Sequence, residues 1–412
     1  MLFLPERLAI AGILTYSFLF LLAPLDLVFS VSWGALTYIL FSYSAFFLGC
    51  LMATKRKKMV SLRGSVIAKF PVREFWFFML AGSVGMAIRI YDKYVNRGAG
   101  VGESALDVRE MLAETSAGPL ASLGAVLYPF CYIPLIILWA RPRARESKIA
   151  KWSATLLFIS PAIDSLLLLS RSQLLVALAM MYFAIACVVY KGKFFPRPLV
   201  VPVLIGITAV TTISVVAFLT RLDQMQMDLA FSIMNSVYGY TITPNELAWE
   251  VMREGDSFIG PVFASLLPIL QYYLHGLFEF FLLWGRPDGQ MFGYGAQHLA
   301  PYIKALTIFG LAPETPYESL YYRPGVFTTF FGTLWMDFGW FGPLFMLAFG
   351  FLCKRVAELA REGMLAVLPL HSYLCVVVFF MPVVSFLISA QGTYVVNTFL
   401  LFFLWRRFLK YS

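Results

Sequence analysis

Apolar positions in this chain fall in long blocks broken by short polar punctuation, and about 20 consecutive apolar residues let a helix cross a bilayer. On that window the pattern predicts helices near 7–23, 32–53, 75–91, 119–140, 152–170, 172–190, 199–220, 258–284, 326–352, 364–388 and 394–410. The expectation is an all-α polytopic membrane protein, with about 10–12 transmembrane helices in a single membrane domain over 1–412. Arg7 and the basic clusters "TKRKK" with Arg63, Lys69 and Arg73, "RPRARESKIAK", "KGKFFPR", "KRVAELAR" and "WRRFLK" orient the helices, because Lys and Arg flank spans on the cytoplasmic side. Both termini then lie inside, and the long loops 92–118, 221–257 and 285–325 lie outside. One segment does not fit: 221 and 325 read as the same side, yet the single apolar run 258–284 lies between them. That run carries Pro261, Pro268, His275, Gly276 and Glu279, so a re-entrant or broken helix is expected there, with a further span hidden in 286–312 as the alternative.

Composition agrees with the pattern. Hydrophobic residues make up 60% of the 412 and charged residues 13%, against about 45–50% and 25% in soluble domains. The first apolar run leads into the next without a small-residue cleavage site, so it is expected to stay in the mature chain. The five cysteines are scattered through apolar segments, and His275, His298 and His371 form no ligand-spaced cluster. No metal site and no cofactor are expected. The net charge of +9 comes mainly from residues flanking spans, which argues for topology and against nucleic acid. No internal repeat is visible.

Ten basic residues remain outside the cytoplasmic clusters, and three of them sit at the outer ends of spans. They are Arg171 in "LSRSQ", Arg221 in "AFLTRLDQ" and Arg323 in "YYRPGVFTTF". A guanidinium binds phosphate oxygens in pairs, so three at one level suggest a polyanion such as a lipid pyrophosphate. The competing reading is that each snorkels to the interface or pairs with an acid such as Asp164 or Asp223. Asp337, within "TLWMDFGWFGPLF", is an intramembrane carboxylate whose expected partner is one of those arginines. The loop "GRPDGQMFGYGAQHLAPY" brings Arg286, Asp288, Tyr294, Gln297 and His298 close in sequence, a mixture suited to gripping sugars. A general base and a solvated loop histidine both fit His298. His275 and His371 read as satisfied core residues.

The runs "LLSRSQLLVALAMM", "LTRLDQ" and "RPGVFTTFFGTLWMDFGWFGPLF" resemble the Wzy-type oligosaccharide repeat-unit polymerases of O-antigen and capsule assembly, which are related to the O-antigen ligases. The likeness covers roughly 160–350, and the first five spans match in hydropathy alone. The resemblance implies a metal-independent glycosyltransferase of the C-type helical class in the bacterial inner membrane, working at the periplasmic face. Its donor and acceptor would both be oligosaccharides on undecaprenyl pyrophosphate, with a chain-length regulator and a flippase as further partners. Arg171, Arg221 and Arg323 would hold pyrophosphate, with Arg286 a further candidate. Tyr294, Gln297, Tyr321 and Tyr322 would meet sugar, and His298 and Asp337 would join Arg171 in catalysis. The chemistry is consistent, because displacing a lipid pyrophosphate from an anomeric carbon builds negative charge that fixed arginines stabilise without a metal. An O-antigen-type ligase on the same scaffold and a lipid-linked oligosaccharide flippase are the rival expectations.

Overall fold

The computed structural model describes residues 3–54, 72–98, 107–108, 111–112, 118–140, 147–190, 192–193, 195–226, 232–233, 236–254, 259–286, 292–311, 320–321, 323 and 326–408. Much of the outer loop 92–118 falls outside them. Helix α1 (Pro5–Leu22) and α2 (Trp33–Thr54) are joined through strand β1 (Leu25–Leu27). That strand pairs antiparallel with β2 (Ile242–Pro244), Leu25 opposite Pro244 and Leu27 opposite Ile242. This two-stranded ribbon marks one end of the bundle, called here the strand end.

The remaining helices follow the apolar blocks closely. Helix α3 (Val72–Tyr91) ends in a π-turn, Asp92–Asn96. The expected span at 119–140 is α4 (Pro119–Leu127) and α5 (Ile133–Ala140), joined by a tight turn at Tyr128–Tyr132 around Pro129. Then come α6 (Lys148–Leu166), α7 (Ser172–Val188), α8 (Arg197–Gln224), the short amphipathic α9 (Glu246–Glu254), α10 (Ile259–Trp284) and α11 (Ala300–Ile308). Helices α12 (Phe330–Phe338), α13 (Gly342–Arg361), α14 (Leu368–Phe380) and α15 (Ser389–Phe408) complete the chain. Caps set several starts: the Ser147 hydroxyl accepts from Ala150 N at 3.1 Å, Asn245 Oδ1 from Ala248 N at 2.9 Å and Thr329 Oγ1 from Gly332 N at 3.2 Å. By length and composition alone, six described helical stretches are long and apolar enough to cross a membrane, the sixth being Phe330–Arg361 taken across its fold at Gly339, and two shorter apolar helices accompany them.

Three expectations are corrected. The run 326–352 is not one span: at Gly339, φ +51, the chain folds back, so Phe338 meets Phe345 at 5.3 Å and Phe330 meets Phe349 at 5.6 Å. Only a glycine takes that backbone conformation without strain. No break interrupts Ile259–Trp284, which is continuous through Pro268. No further span lies in the described part of 286–312, since Ala300–Ile308 has nine residues and is too short to cross.

The irregular backbone lies elsewhere, in residues 326–329 before α12 and 381–388 between α14 and α15. Both meet at Gly276 in α10. Thr329 N and Thr328 Oγ1 donate to the Gly276 carbonyl at 3.3 and 3.1 Å, and Phe330 N donates to Met381 O at 3.2 Å. A Cβ at Gly276 would come within 2.6 Å of Val383 O. Nonhelical backbone survives inside an apolar bundle only where protein satisfies it, and here it does.

Helices α2 and α13 form the tightest pair and run parallel. Tyr38 Oη donates to Gly339 O at 3.1 Å, Phe46 faces Phe349 at 6.0 Å and Cys50 Sγ donates to Gly350 O at 3.3 Å. Gly49 and Gly350 let the backbones touch, as small residues do between membrane helices. At the end away from the strands, Lys354 pairs with Glu6 at 2.6 Å and Arg406 with Glu74 at 2.7 Å.

Candidate functional site

At the strand end the loop before α12 carries Arg323 against α10. Its Nε donates to Glu279 Oε1 at 3.0 Å, and one terminal nitrogen donates to Glu279 Oε2. The other terminal nitrogen donates to Val237 O at 2.7 Å, and the guanidinium lies 4.7 Å from the Tyr240 ring centroid. Arg323 thus pairs with an acid, as the competing reading allowed, but with neither Asp164 nor Asp223: Glu279, 4% exposed, takes both bonds in a fork geometry. The two residues line a small cavity with Leu283, Tyr321, Val326, Thr328 and Met336.

Arg171 is the N-cap residue of α7, in the turn where Leu169 has φ +51. Its guanidinium lies 4.9 Å from the Tyr272 ring, and one nitrogen donates to Ser214 O of α8 at 3.3 Å. Asp164, one of the acids offered to it by sequence, is taken instead by Arg89 at 2.8 Å and Lys93 at 2.6 Å. Among the described residues no carboxylate pairs with Arg171. Tyr272 in turn lies 5.7 Å from Tyr238, which neighbours the Val237 carbonyl that holds Arg323. Two arginines thus flank one tyrosine cluster built by α10 and the 237–240 turn.

Asp337 pairs with His298, which corrects the expectation that its partner is an arginine. His298 Nδ1 lies 2.7 Å from Asp337 Oδ2, and the backbone N–H groups of Gln297 and His298 donate to the same carboxylate at 3.0 and 2.8 Å. The network assigns the Nδ1–H tautomer. Asp337 is 0% and His298 5% exposed. Phe330, Phe338 and Phe345 surround the imidazole at 5.2–5.9 Å, and its Nε2 has no hydrogen-bond partner among the described residues. Gln297 continues the network outward: its Oε1 accepts from Tyr321 Oη at 3.0 Å, while its Nε2 is likewise buried without a partner. Burial raises the Tyr321 phenol and Asp337 adds to the rise, so its hydroxyl remains a donor.

The other candidates are placed as follows. Tyr294 is 83% exposed at a positive φ of 49, close in sequence to the network but turned away from it. Arg286 follows the end of α10, its backbone N–H on Leu283 O. Arg221 lies in the last turn of α8, with its side chain outside the described part, and Tyr322 lies outside the described residues. Glu279, Tyr240 and Tyr272 were not legible as site residues; for Glu279 the available signal was one acid in the long apolar run of α10. Among the described residues, no group of His, Cys, Asp and Glu could hold a metal ion. Set beside protein-family models, curated proteins and solved structures, the chain matches none of them.

Proposed function

We propose that this membrane protein is a metal-independent glycosyltransferase joining oligosaccharide repeat units carried on undecaprenyl pyrophosphate, at the periplasmic face of the bacterial inner membrane. One observation carries the reading: Arg171 and Arg323 flank a single tyrosine cluster beside a cavity at the strand end. An unmatched guanidinium in an apolar bundle costs at least about 2.5–3.5 kcal/mol unless something anionic or wet receives it, and Arg171 has no carboxylate among the described residues. A lipid pyrophosphate at the level of a headgroup supplies that anion. Its charge grows as the anomeric bond breaks, so arginines fixed beforehand favour the transition state over the ground state.

The tyrosines and Gln297 suit sugar. Rings stack on pyranose faces, and the unpartnered Gln297 Nε2 offers a donor to a hydroxyl. The Asp337–His298 pair holds Gln297 in place through its backbone N–H. The C-type scaffold and partnership with a flippase and a chain-length regulator belong to the same reading.

A reconstituted assay tests it, using purified protein, one undecaprenyl-pyrophosphate repeat unit and excess chelator, read as a ladder on a gel. Wild type is expected to make the ladder, and Arg171→Ala to lose turnover by about 10²-fold, the scale of one transition-state donor. Arg323→Lys, which keeps the charge but not the fork, is expected to fall in the same direction. No ladder, together with movement of the lipid across proteoliposomes, would replace the enzyme with a transporter.

A further inference from the structure

Among the described residues, the cavity beside Arg323 is lined by a single acid, Glu279. Its neighbours on α10, Phe278, Phe280, Phe281 and Leu283, are all buried hydrophobics. Isosteric apolar residues generally replace buried ion pairs without loss of stability, so the packing alone does not call for this one.

We propose that Glu279 is the proton acceptor of the glycosyl transfer, held by Arg323 until a phosphoryl oxygen takes a share of the guanidinium. The proposal rests on the functional reading above. Arg323 has five N–H groups. Three are spoken for: Nε–H and one terminal N–H on the two Glu279 oxygens, and one on Val237 O. Two terminal N–H groups remain, and a lipid phosphoryl group needs two or three donors. Seating it draws Arg323 off one carboxylate oxygen, and that oxygen then accepts from the hydroxyl of the incoming sugar. In the step, the hydroxyl proton passes to Glu279 and the hydroxyl oxygen bonds to the anomeric carbon. The bond from that carbon to the phosphate oxygen breaks, and its electron pair leaves on the lipid pyrophosphate between Arg171 and Arg323. The protonated Glu279 afterwards releases its proton to water at the cavity mouth.

The geometry favours Glu279 over His298. Asp337 and three phenylalanines enclose the imidazole, whereas Glu279 is in the cavity wall with Tyr321 and Thr328. Glu279 thereby couples the two substrates, since the base becomes available only when the donor headgroup is seated.

The test is Glu279→Gln in the reconstituted assay, with the dissociation constant for undecaprenyl pyrophosphate measured separately. The amide still accepts from Arg323 but takes no proton. Turnover is expected to fall at least about 100-fold, within the range of general-base contributions, while donor affinity stays within about threefold of wild type, a change of about 0.7 kcal/mol in binding. Turnover within about tenfold of wild type, below that range, would overturn the proposal. So would a fall matched by an equal loss of donor affinity, which would leave Glu279 as a positioning residue for Arg323. Should E279Q not fold, Glu279→Asp decides. A carboxylate drawn back by one methylene lowers turnover at unchanged affinity if it takes the proton, and leaves turnover at the wild-type value if it only balances Arg323. Wild-type protein that makes no polymer removes the functional reading itself; wild-type polymer with undiminished E279Q turnover removes Glu279 alone.

Discussion

The buried carboxylates divide the charged residues of this protein into those that hold the fold and one that faces a cavity. Asp337 accepts three N–H bonds from a segment 39 and 40 residues away. Asp337→Ala strands two backbone donors and the imidazole, each costing about 1–3 kcal/mol when buried. Thermal unfolding in detergent should show a clear drop in Tm, and Asp337→Asn, which keeps one acceptor oxygen, a smaller one. Arg171→Leu is expected to leave Tm near wild type while removing turnover, because no buried carboxylate loses its partner. The sequence marks Asp337, Arg171 and Arg323 as costly residues in apolar surroundings. It does not show who answers them, because Glu279 and His298 come from segments 44 and 39 residues away with no local spacing signal.

Among the elements, the helices were legible because hydropathy alone defines a span, and most predicted ends lie within a few residues of the observed ones. The hairpin at Gly339 was not, since both of its arms are apolar and one positive φ is all that separates them. The close pairing of α2 with α13 likewise depends on two glycines that look like any others in the sequence. A Cβ at Gly350 would come within 2.1 Å of Phe46 O, and one at Gly49 within 2.0 Å of Leu347 O. Gly350→Leu is therefore expected to destabilise by about 1–3 kcal/mol or more through overpacking, seen as loss of monodisperse protein on size exclusion. Gly206→Ala is the control, with nothing within 4 Å of the added carbon.

For the whole molecule, charge is sorted by end. Glu6–Lys354 and Glu74–Arg406 mark one, and the arginine and tyrosine cluster with the β1–β2 ribbon marks the other. The proposed orientation puts the strand end outside. All five native cysteines are buried, so Tyr294→Cys offers a single exposed thiol. It should react with a membrane-impermeant maleimide added to intact spheroplasts; labelling only after lysis would reverse the orientation. The parallel contact of α2 with α13 also has a consequence for biogenesis. About 290 residues separate Thr54 from Gly342, so at ribosomal rates of about 5–20 residues per second α2 waits roughly 15–60 s for its partner. During that interval its glycine groove faces lipid or a neighbouring nascent segment. Translation speed through the middle of the message, and any insertase that shelters α2, therefore bear on the yield of folded protein as directly as the packing itself.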